Sequence, residues 1–132
     1  MTRASTKLVV AALVATIAAC GGSTAPVAGI LKVKLVGTPN SGLDGAILLS
    51  VTAPTIPSAA TAQGGFRLFG TPTATTSTFA VTGTLSAGSV LFTIAVADIS
   101  KVGQYSATVQ QVAASSTFAL RSLTNYSLSV TQ

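Results

Sequence analysis

The segment Ile30 to Val36 alternates strictly about its two lysines: Leu31, Val33 and Leu35 fall on one face, Lys32 and Lys34 on the other. Side chains that project to opposite faces at every step segregate this pattern, whereas a helix would scatter it around its axis, so the segment is a strand. The chain repeats the idiom. Ala46 to Thr52 aligns Ile47, Leu49 and Val51, and Leu48 makes the opposite face partly apolar, as in a central strand. Phe66 to Phe69 alternates briefly, Thr78 to Leu85 groups Phe79, Val81 and Leu85, and Val90 to Val96 groups Val90, Phe92, Ile94 and Val96. Tyr105, Ala107 and Val109 alternate with polar residues, as do Tyr126, Leu128 and Val130, and Phe118 with Leu120 suggests a further short strand.

Between these runs, Gly37 to Gly45, Thr52 to Gly65 and Gly70 to Ser77 concentrate Gly, Pro, Asn, Asp and Thr, and read as turns or loops. Ser86-Ala87-Gly88 is short enough for a hairpin, with glycine at the tight position. No segment after residue 28 carries a helical stripe. The expected fold is all-β, an antiparallel sandwich of about seven to eight strands.

The first residues are of another kind. Met1 to Lys7 carries Arg3 and Lys7, and Leu8 to Ala19 is uncharged and apolar apart from Thr16. As a helix this run spans about 18 Å, short of the ~30 Å hydrocarbon core of a bilayer, and small and polar residues follow it without a cationic stop. That is the layout of a signal helix for export and cleavage. The sole cysteine, Cys20, stands where the run ends and has no intrachain partner for a disulfide.

The tetrapeptide Ile17-Ala18-Ala19-Cys20 resembles the lipobox of bacterial lipoproteins, a branched aliphatic residue and two small ones before the cysteine. The resemblance implies that Cys20 carries a diacylglyceryl thioether, that a signal peptidase cuts before it, and that the new amino terminus is acylated. It also implies a location in the cell envelope, anchored in the membrane by the lipid on Cys20. Gly21, in place of aspartate, favours the outer membrane in a Gram-negative host. The expected organisation is therefore a signal peptide over 1–19, a lipidated cysteine with a flexible tether over 20–28, and a β-sandwich domain over 29–132. The eight-residue tether Gly21 to Ala28 has a reach of roughly 15 Å.

Composition narrows what the domain can do. The formal charge of +5 includes Arg3 and Lys7; without them, five scattered cations face Asp44 and Asp98, leaving +3. Neither a basic run nor aromatic interleaving marks a nucleic-acid site, and no nucleic-acid partner is expected. The chain has no His and no Glu, and its two carboxylates lie far apart, so no catalytic residue, metal site or cofactor is assigned and an enzyme is disfavoured. Asp44, beside Gly45, and Asp98, after a strand, are expected to hydrogen-bond local backbone in turns. Phe66, Phe79 and Phe92 belong to core faces, while Tyr105 and Tyr126 are placed to project hydroxyls to the surface.

Gly83-Thr-Leu-Ser-Ala-Gly-Ser-Val-Leu-Phe-Thr-Ile94, Gln104-Tyr-Ser-Ala-Thr-Val109 and Tyr126-Ser-Leu-Ser-Val-Thr131 resemble cohesin-like domains in strand order and hydrophobic spacing. Those are Ig-like sandwiches of the bacterial surface, and the likeness implies protein binding through an exposed sheet face. The reading is a lipid-anchored envelope module that binds protein or serves a structural role; the alternative is a lipoprotein that binds surface polysaccharide. The sequence names neither ligand-binding residues nor the oligomeric state.

Overall fold

A computed structural model describes residues 25–132. The signal helix, the lipobox Ile17-Ala18-Ala19, Cys20 and the first part of the tether lie outside the described residues. Eight strands follow: β1 (Gly29–Gly37), β2 (Asp44–Thr52), β3 (Ala59–Ala62), β4 (Arg67–Phe69), β5 (Thr76–Leu85), β6 (Val90–Val96), β7 (Ser106–Ala114) and β8 (Ser127–Thr131). They form two four-stranded sheets, β3-β6-β1-β8 and β4-β5-β2-β7, in which every pairing is antiparallel. The protein is a β-sandwich.

Four of the pairings, β1 with β8, β2 with β7, β3 with β6 and β4 with β5, are those of one long hairpin with its tip between β4 and β5. Successive pairs alternate between sheets, so the ribbon is rolled, and β1 with β6 and β2 with β5 close the roll. Each sheet thus centres on a strand from the start of the chain, and β2 is central as its two-sided apolar character predicts.

The inner faces meet in a core headed by Phe79, Phe92, Leu31, Leu35, Ile47 and Leu49, all at most 1% exposed. Phe79 and Phe92 reach across from opposite sheets, with ring centroids 5.0 Å apart and planes tilted by 42°, a favourable edge-biased arrangement. Among the described residues every buried apolar residue lies between Leu31 and Ala114, so residues 25–132 hold a core of their own.

Bulges adjust the period. Val33 opposes Phe92 and Lys34 opposes Val90, so Leu91 is the extra residue and is buried where strict alternation places Val90. In β7 the register slips between Leu48 and Leu49, which oppose Gln111 and Val109, and Val112 and Ala114 thereby return to the core.

Three sequence expectations are corrected. Ser86-Ala87-Gly88 is not a hairpin turn but an arch between sheets, since β5 pairs with β2 while β6 pairs with β1. Backbone bonds from Gly88 N–H to Leu35 O (2.6 Å) and from Leu35 N–H to Ser89 O (2.9 Å) pin the arch to β1, and Gly88 adopts φ +86°, which favours glycine. Ala59–Ala62, in a stretch read as loop, is an edge strand on β6, formed by residues too small to display a pattern. Phe118 and Leu120 make only a single bridge, Leu120 with Ala113, beyond the edge of β7.

Candidate functional site

The outer face of the first sheet is mixed: Lys32 and Lys34 make it cationic, while Ile30, 54% exposed, stands in an apolar row with Ala95 and Ala59. Thr61, Thr93, Lys32 and Thr131 form one row across its four strands. The outer face of the second sheet differs. Its rows Thr78-Ser50-Thr108 and Thr76-Thr52-Ser106 are hydroxyl-bearing, with the Thr52 and Thr76 hydroxyls 3.3 Å apart. The next rows, Phe69-Ala80-Leu48-Gln111 and Arg67-Thr82-Ala46-Ala113-Leu120, turn apolar. Alanines lie beside Leu48 in the middle and larger side chains stand at the margins, where Phe69 and Leu120 are 55% and 68% exposed.

The result is a trough of about 120 Å³ floored by Ala46, Ala80 and Ala113 beside Leu48, Leu120 and the polar Gln111. At Ala46 it adjoins a wider hollow of about 340 Å³, between Gly83 and Thr84 on one side and Phe118 on the other. Phe118 is the most exposed large apolar residue among the described residues, at 79%. It also adopts φ +57°, a left-handed conformation that is uncommon for an aromatic residue and costs of order 1–3 kcal/mol. Its N–H donates to Ala114 O, closing the turn that returns the chain along β7, and Arg121 N–H donates to Val112 O.

Beneath this display lies the one ion pair among the described residues. Asp44, the first residue of β2, is fully buried, and its Oδ1 accepts from Arg121 Nε at 2.9 Å. Its Oδ2 accepts from the Tyr126 hydroxyl and, at 3.4 Å, from Thr38 Oγ1. Asn40 completes the cluster: its side-chain amide donates to the Tyr126 oxygen at 3.0 Å and its N–H to Thr38 Oγ1 at 3.1 Å. Asp44 therefore does not bind local backbone in a turn. It ties the β1–β2 connection to the β7–β8 connection, two of the places where the chain crosses between sheets at this end. Tyr126 is likewise corrected from surface hydroxyl to partly buried donor, and Tyr105 is 7% exposed. Asp98 does act as expected, accepting from Ser100 N–H at 3.1 Å and from the Ser100 hydroxyl at 2.7 Å at the start of a 3₁₀ turn. The Ser100 hydroxyl is the main cause that lowers the Asp98 pKa.

Desolvation, and then the bond to Asp44, raise the Tyr126 pKa above its ordinary 10.0. A group whose folded pKa lies above its unfolded value stabilises the fold fully below the unfolded value, and that contribution is lost as pH climbs through the folded one. The thermal midpoint should thus decline above about pH 10, and Tyr126→Phe should flatten that alkaline limb. Melting curves by circular dichroism between pH 8 and 12 check it; an unchanged limb in the variant would mean that another group governs it.

Asp44 accepts three side-chain hydrogen bonds, and among the described residues no three His, Cys, Asp or Glu side chains gather. The large apolar residues at the margins of the second sheet, above all Phe118 and Leu120, escaped the sequence reading as a surface; the only signal for it was Leu48 on the outward face of β2. Comparison with protein-family models, curated proteins and solved structures returns no match to this chain.

Proposed function

We propose that this chain is a lipid-anchored module of the bacterial cell envelope, held to the membrane through Cys20, that binds a protein partner with the outer face of its second sheet. The observation that carries the binding role is the contiguous apolar display on that face, from Phe69 across Ala80 and Ala46 to Leu120 and Phe118. Exposed apolar residues scattered singly are ordinary on a protein surface, but a continuous patch rimmed by polar residues marks an interaction site. Phenylalanine, exposed here at Phe69 and Phe118, is among the aromatic residues enriched in interfaces.

A second reading rests on the hydroxyl rows of the same face, Thr78-Ser50-Thr108 and Thr76-Thr52-Ser106. Their donors and acceptors at regular strand spacing suit a surface polysaccharide. One experiment separates the two. Residues 25–132, used as bait in an extract of the host envelope, should retain a defined protein, and Leu120→Asp should abolish the capture. Retention of polysaccharide alone, lost on Thr52→Ala with Thr76→Ala but not on Leu120→Asp, would replace the protein-binding reading by the second.

A further inference from the structure

We infer that the partner on this face is a second copy of the same chain, in a two-fold, face-to-face dimer of the second sheets; the inference rests on the reading of that face as a protein-binding surface.

The relief of the face is the first ground. A two-fold contact sets one patch against itself, so each projection needs a recess within the same patch. Here both are present side by side. Leu120 and Phe118 project, while the alanine-floored trough and the hollow beside Gly83 recede. The trough, at about 120 Å³, is an open depression with Ala46, Ala80 and Ala113 at its floor, against which a projecting aliphatic side chain of a second copy can rest.

Charge is the second ground. The five cations of the described residues exceed the two aspartates, and two copies repel unless they meet on an uncharged surface. The first sheet is less suited, because Lys32 and Lys34 stand on its outer face and a two-fold contact centred there would bring four lysines together. The second sheet presents only Arg67 among its outward residues, at the β4 edge. It is the broad face on which two copies would bring the fewer like charges together, one cation against the two lysines of the first sheet.

Area is the third. Strands of nine or ten residues at ~3.4 Å rise and ~4.8 Å spacing, with the short β4 and Leu120 lanes, give about 500 Å² in projection per copy, or about 1,000 Å² for the pair. That reaches the ~1,000 Å² threshold of a specific interface and sits at the weak end of the class. Packed sheets also lie ~10 Å apart with strands rotated by ~30°, a geometry open to any two twisted sheets with complementary faces. The affinity should accordingly be modest in solution, and an anchor that confines copies to a thin layer would raise their effective concentration.

Sedimentation velocity on residues 25–132, which carry a core of their own, tests the inference. The expected result is a monomer–dimer equilibrium with a midpoint near tens of micromolar, moved at least about tenfold higher by Leu120→Asp or Phe69→Asp. Both side chains are exposed, so native circular dichroism should persist in the variants, and Lys32→Ala on the other sheet should leave the midpoint unchanged. A species that remains monomeric to about 300 µM, or a dimer indifferent to Leu120→Asp, overturns the proposal. In the monomeric case, envelope capture that still depends on Leu120 would show that the face binds another protein, so the dimer would fail while the binding role stood. Capture indifferent to Leu120 would remove both.

Discussion

Arg121→Met should destabilise the domain by about 3 kcal/mol, because it leaves the Asp44 carboxylate buried without its counter-charge. Asp44 is fully buried while the Arg121 side chain is 31% exposed, which places the expected loss at the low end of the ~3–5 kcal/mol seen when one partner of a buried pair is removed. For a domain of this size that is a fall of about 15 °C in melting temperature. The methionine keeps the aliphatic contacts of the stem, so the loss reports charge rather than volume. Adding Asp44→Asn should recover part of the stability, since a neutral amide can still accept from Tyr126 and Thr38 and no longer buries an unpaired charge. Urea unfolding of the two single variants and the double variant gives the coupling directly. Additive losses would mean that the carboxylate finds water when Arg121 is absent.

The consequence reaches the binding face, because Arg121 follows Leu120 in sequence. Asp44 holds the segment that presents Phe118 and Leu120, and the bonds to Tyr126 secure its far end before β8. Loosening that hold should raise amide hydrogen exchange in 115–124 before it affects β5 or β6, where backbone bonds lie in the middle of the sheets. It should also weaken dimerisation, with the contacting side chains themselves intact.

Ile30 to Val36 shows what in this fold was legible. Its alternation set the strand and its inward face, and all three inward residues, Leu31, Val33 and Leu35, are fully buried. Period two is a local property, and a sandwich built from antiparallel strands expresses it directly. Pairing is not local. Ser86-Ala87-Gly88 has the length and the glycine of a hairpin, yet leads from one sheet to the other, because β5 finds β2 and β6 finds β1 across long stretches of chain. The same distance hid the role of Asp44. Its neighbours Leu43 and Gly45 suggest a turn, while its partners lie 77 and 82 residues away. Scarcity was the one available signal: a chain with two carboxylates and a large core has few means of placing a buried polar contact. The binding face stayed hidden because alanine carries little pattern. Ala46, Ala80 and Ala113 acquire meaning only when register sets them side by side between larger residues.

Cys20→Ala should convert the protein from a membrane-bound to an aqueous species. The sequence resemblance assigns Cys20 a thioether-linked diacylglyceryl group, and each buried methylene contributes ~0.8 kcal/mol. One acyl chain gives reversible association, whereas two or three hold a protein on the membrane stably, so removing the sulfur should change partitioning by orders of magnitude. Among the described residues no helix is long and apolar enough to cross a membrane, so the sandwich itself offers no helical anchor in compensation. In a Triton X-114 separation from the expressing host, the wild type should enter the detergent phase and Cys20→Ala, once cleaved elsewhere or released, the aqueous phase. Equal partition of the two, with a mature wild type whose mass shows no lipid on Cys20, would overturn lipid anchoring and assign retention to the apolar run Leu8 to Ala19. Mass spectrometry of the mature wild type distinguishes these mechanisms independently: a lipidated cysteine at the new amino terminus requires cleavage after Ala19, while retention by the leader requires Met1 to Ala19 to remain. Anchoring and dimerisation are linked in the expected outcome, because loss of the lipid returns the domains to free solution. There the modest affinity of the second-sheet face governs association alone, and Cys20→Ala should dissociate dimers in cells without altering the midpoint measured for residues 25–132.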